Sequence, residues 1–278
     1  MSFTLSASDV KNLRDTTGAG MMDCKEALTE AAGDFEKAIE ILRKKGQKLS
    51  LKRADREAKE GAVIARVSAD KKRGVVVKLS SETDFVSKNE DFVETAVRIA
   101  DIALESNPAD RESLLTLPFD GTKSVGERIT DMVAAIGEKI ELTDYEKLEA
   151  PQVECYIHMG NKAGVLVGLN KASDAFTDAG RDVAMQVAAM RPVALDKDQV
   201  DPGIIQKEIE IGREQARAEG KPEAMLEKIA MGKLEKFYKE STLLHQQFVK
   251  DGSLTVAAYL KKADAGLTVT GFRHVKLG

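Results

Sequence analysis

The sequence predicts an α+β protein in which a small helical bundle precedes a duplicated core of two subdomains. Residues 1–46 hold three short amphipathic stretches separated by glycine-containing turns, the pattern of a three-helix bundle. The remaining chain twice follows the order strand, turn, strand, helix, and later helix, strand. A recurring order of this kind favours two copies of one α+β unit.

Start and stop signals define the three helices of the bundle. Asp23 with Glu26 three residues later predicts a capping box at the start of the second helix. Asp34 predicts the cap of the third helix, and Gly46 predicts its end. Residues 47–60 are rich in Lys, Arg, Ser and Ala, and we interpret them as a linker, for which a partly helical structure stays open.

Residues 61–150 predict the first core subdomain. Apolar residues alternate in two short stretches around a polar turn, which indicates a β-hairpin, and amphipathic stretches follow. The predicted elements are strands at 62–67 and 75–79, a helix at about 91–104, a helix capped by Ser124 with Glu127, and a strand at Ile140 and Leu142.

The second subdomain is predicted in two pieces, residues 151–200 and 241–278. Between them, residues 201–240 place apolar side chains at spacings of three and four on both sides of Gly220-Lys221-Pro222. This pattern indicates an antiparallel coiled-coil hairpin inserted into the core. Such a hairpin is either a protein-contact arm or lies on its own core, and the sequence leaves both interpretations open.

Composition excludes several classes of function. The 42 Lys and Arg residues nearly balance 46 Asp and Glu residues, and the chain has no Trp, which argues against a nucleic-acid binder. Two distant cysteines predict no disulfide framework, so we expect a cytoplasmic protein. We expect no membrane span, because no apolar run approaches about 20 residues, and no signal peptide, because Met1 to Leu5 lacks a basic flank.

Candidate catalytic and cofactor patterns are weak. Cys155 and His158 would point to opposite faces of a strand, and no second pair has metal-ligand spacing. Gly18 and Gly20 lie between two helices without a preceding strand, so a dinucleotide loop is not indicated. These patterns therefore indicate no catalytic residue, no metal and no cofactor.

The segment Thr83-Asp84-Phe85-Val86 follows the predicted hairpin and supports three interpretations. Glu82 and Asp84 would share one face of a strand-like stretch, as paired carboxylates of an acid/base or Mg²⁺ site do. Phe85 is either a wedge for a partner protein or a core residue under the following helix. Adjacent Met21 and Met22 pose a similar choice between an exposed contact and a loop folded over the bundle.

The chain resembles the elongation factor Ts family. The motifs that carry the resemblance are Leu13-Arg14-Asp15-Thr16-Thr17-Gly18-Ala19-Gly20-Met21-Met22-Asp23-Cys24-Lys25-Glu26-Ala27-Leu28, Thr83-Asp84-Phe85-Val86, Ile136-Gly137-Glu138, His158-Met159-Gly160, Gly220-Lys221-Pro222 and Gln247-Phe248-Val249-Lys250-Asp251. The first two blocks are very specific, and the motifs span the chain.

The resemblance implies a guanine-nucleotide exchange factor whose partner is elongation factor Tu. By the family's pattern, residues 1–46 resemble a ubiquitin-associated-like domain that docks on the partner's GTPase domain. The segment Thr83-Asp84-Phe85-Val86 is implied to bind the partner, with Asp84 and Phe85 intruding near its Mg²⁺ site and promoting release of GDP. Further contacts to the partner are implied at Arg14, Met21, Met22, Ile136, Gly137, His158, Val249 and Lys250. The hairpin corresponds to the family's coiled-coil or dimerisation region, so a homodimer or a 2:2 complex stays open.

Two other classes remain as alternatives. One is an interaction module that binds its partner without releasing nucleotide, and the other is an enzyme built on Glu82 and Asp84. Because the sequence ends soon after the last predicted strand, we expect no counterpart of the carboxy-terminal helix that some family members carry.

Overall fold

The computed structural model describes residues 5–278. The expectation that no signal peptide is present concerns residues 1–5, of which 1–4 lie outside the described part. The amino-terminal bundle consists of α1 (Ala7–Thr17), α2 (Met21–Glu30) and α3 (Phe35–Lys52). These helices enclose a small apolar core, and its buried residues include Val10, Leu13, Cys24, Leu28, Ala38 and Leu42.

Helix α2 begins earlier than its sequence indicates. Gly20 is the residue before its first turn, and no side chain caps that end, so the predicted capping box of Asp23 and Glu26 is wrong. Instead, both carboxylates accept hydrogen bonds from the ammonium group of Lys45 on α3, at 2.6 and 3.4 Å. The predicted cap of α3 is confirmed, because the side chain of Asp34 accepts a hydrogen bond from the backbone N–H of Lys37.

The prediction that α3 ends at Gly46 is wrong. The helix continues to Lys52, so residues 47–52 of the interpreted linker are helical. A Cβ atom at Gly46 would lie 2.9 Å from Cβ of Ala134 and 3.0 Å from the carbonyl oxygen of Thr130. Both residues belong to α7 (Val125–Ile136). The glycine therefore permits close packing of two helices, and it does not terminate one.

The first core subdomain is an antiparallel sheet of three strands in the order β1-β2-β3. Its strands are β1 (Glu60–Val67), β2 (Arg73–Ser81) and β3 (Ile140–Glu149). Between β2 and β3 the chain forms α4 (Asp84–Ser87), α5 (Glu90–Ser106), α6 (Arg111–Thr116) and α7. Helix α6 was not predicted, whereas the predicted capping box of Ser124 with Glu127 at the start of α7 is confirmed.

The second core subdomain repeats this arrangement, with an antiparallel sheet in the order β4-β5-β8. Its elements are β4 (Gln152–Ile157), β5 (Ala163–Leu169), α8 (Thr177–Met190), β6 (Gln247–Phe248), β7 (Asp251–Thr255), α11 (Val256–Ala263) and β8 (Val269–Lys276). In each sheet, the first two strands form a hairpin. The third strand follows later in the chain, after helices, and pairs with the second strand of that hairpin. The predicted duplicated core is confirmed, and the short β6–β7 hairpin is an addition to it.

The two sheets stack face to face. Buried apolar side chains fill the space between them, namely Val63, Ala65, Val76, Leu148, Val153, Leu166 and Val275. A Cβ atom at Gly74 would lie 2.8 Å from Cγ1 of Val153 and 2.9 Å from Cδ2 of Leu166, so this glycine allows the close approach. Helices α5 and α8 cover the outer faces of their sheets. The core therefore has four layers, helix, sheet, sheet and helix.

The predicted helical hairpin is confirmed as α9 (Pro202–Ala218) and α10 (Glu223–Ser241). Its seam is narrow because Gly212 faces Ala230, where a Cβ atom on the glycine would lie 3.1 Å from Cα of the alanine. Buried residues along the seam are Ala216, Leu226, Ala230 and Leu234. Among the helices described between residues 5 and 278, none is long and apolar enough to cross a membrane.

Candidate partner-binding surface

A sharp turn after β2 presents Phe85 to solvent. Thr83 keeps an extended backbone, and α4 begins at the next residue. The side chain of Phe85 is 84% exposed, whereas Val86 beside it is only 8% exposed and belongs to the first core. The interpretation in which Phe85 packs under the following helix is therefore wrong. An exposed aromatic ring next to a buried anchor is suited to contact another molecule.

The turn is held from the end of α7. Thr83 donates two hydrogen bonds to the carboxylate of Glu138, from its backbone N–H to Oε2 at 3.1 Å and from its hydroxyl to Oε1 at 2.8 Å. Gly137 ends α7 with a left-handed backbone at φ 81°, and Ile136 before it is 38% exposed. The structure therefore brings the predicted contacts at Thr83, Asp84 and Phe85 next to those at Ile136 and Gly137. Val86, predicted as part of the same contact segment, is instead buried in the first core and anchors the turn.

Glu82 and Asp84 form ion pairs with different basic side chains. The carboxylate of Glu82 accepts hydrogen bonds from Arg53 at 2.6 Å, from Arg56 at 3.1 Å and from the backbone N–H of Lys139 at 2.6 Å. Burial by itself raises the pKa of Glu82, but these hydrogen bonds together outweigh it and hold the pKa below its usual value. A pairing of Glu82 with Arg residues suits a structural anchor.

Asp84 lies on α4 and not on a strand. Its carboxylate accepts a hydrogen bond from Lys88 at 2.6 Å, and this bond is the main cause of a lowered pKa of Asp84. The interpretation of Glu82 and Asp84 as carboxylates on one strand face is wrong, because the strand ends at Ser81. Within residues 5–278, no group of three or more His, Cys, Asp or Glu side chains could hold a metal ion.

The turn of the bundle lies beside the same end of α7. Met21 and Met22 are the first residues of α2, and both are exposed, by 54% and 65%. The alternative that they fold over the bundle is therefore wrong. A Cβ atom on Gly18 would lie 3.8 Å from Cβ of Ala135, so the turn is next to the end of α7. Arg14 is also exposed, in the last turn of α1.

His158 lies at the same end of the stacked sheets as Phe85. It follows β4 and is exposed, and its Nδ1 atom lies 3.1 Å from the hydroxyl of Tyr156. Nζ of Lys78, near the end of β2, donates to the carbonyl of Lys276 at 3.4 Å, and Lys276 pairs with Ala163 just after the His158 turn. The starts of β2 and β4 also lie together at Gly74 and Val153, so the two strands run in the same general direction, and Phe85 and His158 follow their corresponding ends.

Val249 and Lys250 lie elsewhere, in the turn between β6 and β7. The backbone N–H of Val249 donates to Gln186 at 2.8 Å, and the ammonium group of Lys250 donates to Asp182 at 2.6 Å. Both acceptors belong to α8, which covers the outer face of the second sheet. The predicted contacts therefore form two separate surfaces. The first, which we call the Phe85 face, comprises Arg14, Met21, Met22, Thr83, Asp84, Phe85, Ile136, Gly137 and His158. The second, which we call the Val249 turn, comprises Val249 and Lys250.

Sequence reasoning missed two residues at the Phe85 face, Met159 and Glu138, and also the exposure of Leu51. Met159 is 83% exposed directly after His158, although the turn that contains it was recognised as a motif. Leu51 is 76% exposed near the end of α3, where the chain had been interpreted as a linker. Glu138 was part of a motif, but its bond to Thr83 spans 55 positions, and no local pattern signals such a contact.

Comparisons with known proteins agree with this architecture. A family model described as Elongation factor TS matches residues 82–278. A protein named Elongation factor Ts from Cytophaga hutchinsonii is 54% identical over 275 residues, covering 99% of each chain. Proteins of that name from Christiangramia forsetii and Porphyromonas gingivalis are 52% and 47% identical, covering 99% and 98% of each chain, respectively. The chain therefore belongs to the elongation factor Ts family.

Proposed function

We propose that this protein is a guanine-nucleotide exchange factor for elongation factor Tu in the cytoplasm. It binds the GDP-loaded partner, disturbs the Mg²⁺ and nucleotide site, and so promotes GDP release and GTP loading during translation elongation. Family membership supports this role. The observation that carries the mechanism is the exposed Phe85 on an anchored turn, next to the carboxylate of Asp84.

The chemistry of the turn suits the disturbance of a metal site. Mg²⁺ bound to a nucleotide neutralises phosphate charge and prefers carboxylate and other oxygen ligands. Asp84 would compete for, or reorganise, the groups that hold the ion, and Phe85 would keep the displaced elements apart. No bond is made or broken by the protein itself, so we propose that it acts by binding and not as an enzyme.

Binding free energies limit what the turn can do alone. Burial of one phenylalanine contributes roughly 1.5–3 kcal/mol, which is about ten- to two-hundredfold in an equilibrium constant. A nucleotide held with nanomolar affinity is bound by about 12 kcal/mol. The remaining contacts must therefore hold the partner while the turn acts. We propose this role for Arg14, Met21, Met22, Ile136, Gly137, His158, Val249 and Lys250.

Exchange also requires a differential affinity. A factor that weakens nucleotide binding is itself bound more weakly when nucleotide is present, by the same factor. The protein must therefore bind nucleotide-free elongation factor Tu more tightly than the loaded form. We propose that residues 1–46 and the core at 61–200 and 241–278 form these contacts, with 47–60 as the connection. The hairpin at 201–240 is the proposed site of a homodimer or a 2:2 complex.

Release of labelled GDP from elongation factor Tu tests the proposal. We expect addition of this protein to accelerate release with a rate that saturates at high concentration, and excess Mg²⁺ to reduce the acceleration. Stable binding without release would contradict exchange and support the simpler interaction module. The absence of both binding and release would reject the partner altogether.

A further inference from the structure

We infer that Glu138 is a positioning residue for nucleotide exchange, which holds the turn so that Phe85 points out of the molecule. The inference rests on the proposed exchange function and extends it to a residue that does not itself need to touch the partner. It is motivated by the two hydrogen bonds that link Glu138 to Thr83, the residue at the base of the turn.

Helix α4 does not stabilise its own start. It has only four residues, and Thr83 occupies the position before its first turn, where a hydroxyl ordinarily accepts a hydrogen bond from the backbone. Thr83 makes no such bond, and its hydroxyl instead donates to Glu138. A single helical turn is unstable in isolation, so its orientation depends on contacts from outside.

The contact from Glu138 is well suited to fix this orientation. Its two carboxylate oxygens each accept one hydrogen bond from Thr83, one from the backbone and one from the side chain. Paired bonds to an ionised acceptor are strong and define a direction as well as a distance. With Val86 buried on the other side, the short helix is held at both ends and Phe85 is left outside.

Glu138 is itself attached to a rigid frame. It follows Gly137, the left-handed cap of α7, and the next residue, Lys139, donates its backbone N–H to Glu82 at 2.6 Å. The ammonium group of Lys139 also donates to the carbonyl of Ala54 at 2.7 Å. The turn, the end of α7 and the chain after α3 are thus tied together, and order of this kind lowers the entropic cost of binding.

The variant Glu138→Gln tests the role with little change in shape. The amide oxygen can still accept from the backbone N–H of Thr83, but its NH₂ group meets the hydroxyl, which must then accept instead of donate, and the charge is removed. We expect the saturated rate of GDP release to fall about tenfold, because two hydrogen bonds to a charged acceptor become weaker bonds to a neutral amide. Glu146→Gln is the matched control, because Glu146 on β3 pairs with Arg273 at 3.2 Å, away from the turn. The rate of GDP release with this control variant should equal that of the wild-type protein.

The decisive comparison repeats Glu138→Gln in a Phe85→Ala background. If Glu138 acts through Phe85, the amide variant should change the release rate less than twofold there. An equal fold-change in both backgrounds, or no change in either, would overturn the inference while wild-type exchange still supports the proposed function. If wild-type protein releases no GDP, both proposals fail.

Folding is monitored separately by the thermal unfolding midpoint. Thr83→Val provides a second variant, because it removes the hydroxyl donor and keeps the backbone donor. We expect Thr83→Val to slow GDP release less than Glu138→Gln does, and to have little effect in the Phe85→Ala background. A loss of rate that follows a lowered unfolding midpoint, and is equal in both backgrounds, would assign Glu138 a structural role only.

Discussion

The adjacent side chains of Phe85 and Val86 have different roles in the turn: the first is available for contact, and the second anchors the turn in the core. The ring is almost fully exposed, and the valine beside it is buried in the first core. The exposed ring contributes little to the stability of the fold, because it is in water in both the folded and the unfolded chain. We propose that a partner covers the ring, so that its burial contributes to binding.

This division predicts unequal effects of two neighbouring substitutions on stability. Val86→Ala removes buried carbon atoms and should lower the free energy of unfolding by about 1–2 kcal/mol. Phe85→Ala removes exposed atoms and should change it by less than about 0.5 kcal/mol. Urea unfolding of both variants checks the prediction. A large destabilisation by Phe85→Ala would mean that the ring packs against the protein.

The residue scale is where sequence reasoning was weakest. Pattern alone left Phe85 balanced between core and contact, because one apolar residue after a strand has no periodicity to assign it a face. The resemblance indicated a contact, and the exposure of the ring agrees with that. The sequence could not identify the residues that anchor the turn, because Glu82 bonds to Arg53 and Glu138 bonds to Thr83 across 29 and 55 positions of the chain.

Glycine has different roles in different helices of this protein. Gly46 is buried where α3 packs on α7, and a methyl group there would collide with Ala134 and Thr130. Gly232 lies within α10 with nothing within 4 Å of the position that a Cβ atom would occupy. The same residue type thus permits a helix contact in one place and only weakens a helix in the other.

The two glycines predict opposite results for the same substitution. Gly232→Ala should raise the free energy of unfolding by about 0.5–1 kcal/mol, because alanine favours the helix. Gly46→Ala should lower it by about 1 kcal/mol or more, because the steric cost of overpacking exceeds that gain. Thermal unfolding of the two variants checks this. Equal stabilisation by both would show that α3 does not depend on close packing against α7.

Elements with strong periodicity or capping signals were predicted well. The two sheets, the hairpin of α9 and α10 and the capping box of α7 were all identified. Helix α6 and the strands β6 and β7 were missed because six, two and five residues are too short to show a period. The end of α3 was misplaced because Gly46 gives a stop signal that its packing on α7 overrides.

Across the whole molecule, the predicted contacts occupy two surfaces. The Phe85 face comprises the bundle turn, the end of α7 and, at the corresponding end of the second sheet, His158. The Val249 turn is hydrogen-bonded to Gln186 and Asp182 of α8. We propose that the partner is held at both surfaces, so that the full binding free energy supports the small differential effect of the turn. The division into domains remains a prediction.

The central claim is that Phe85 drives release whereas the other contacts hold the partner. The most direct test is stopped-flow release of labelled GDP from elongation factor Tu over a range of exchange-factor concentrations. For Phe85→Ala, we predict that the saturated rate falls about ten- to two-hundredfold, as expected from roughly 1.5–3 kcal/mol. The matched control, Met21→Ala with Met22→Ala, should instead raise the half-saturating concentration more than it changes the plateau. A wild-type plateau for Phe85→Ala would contradict the account.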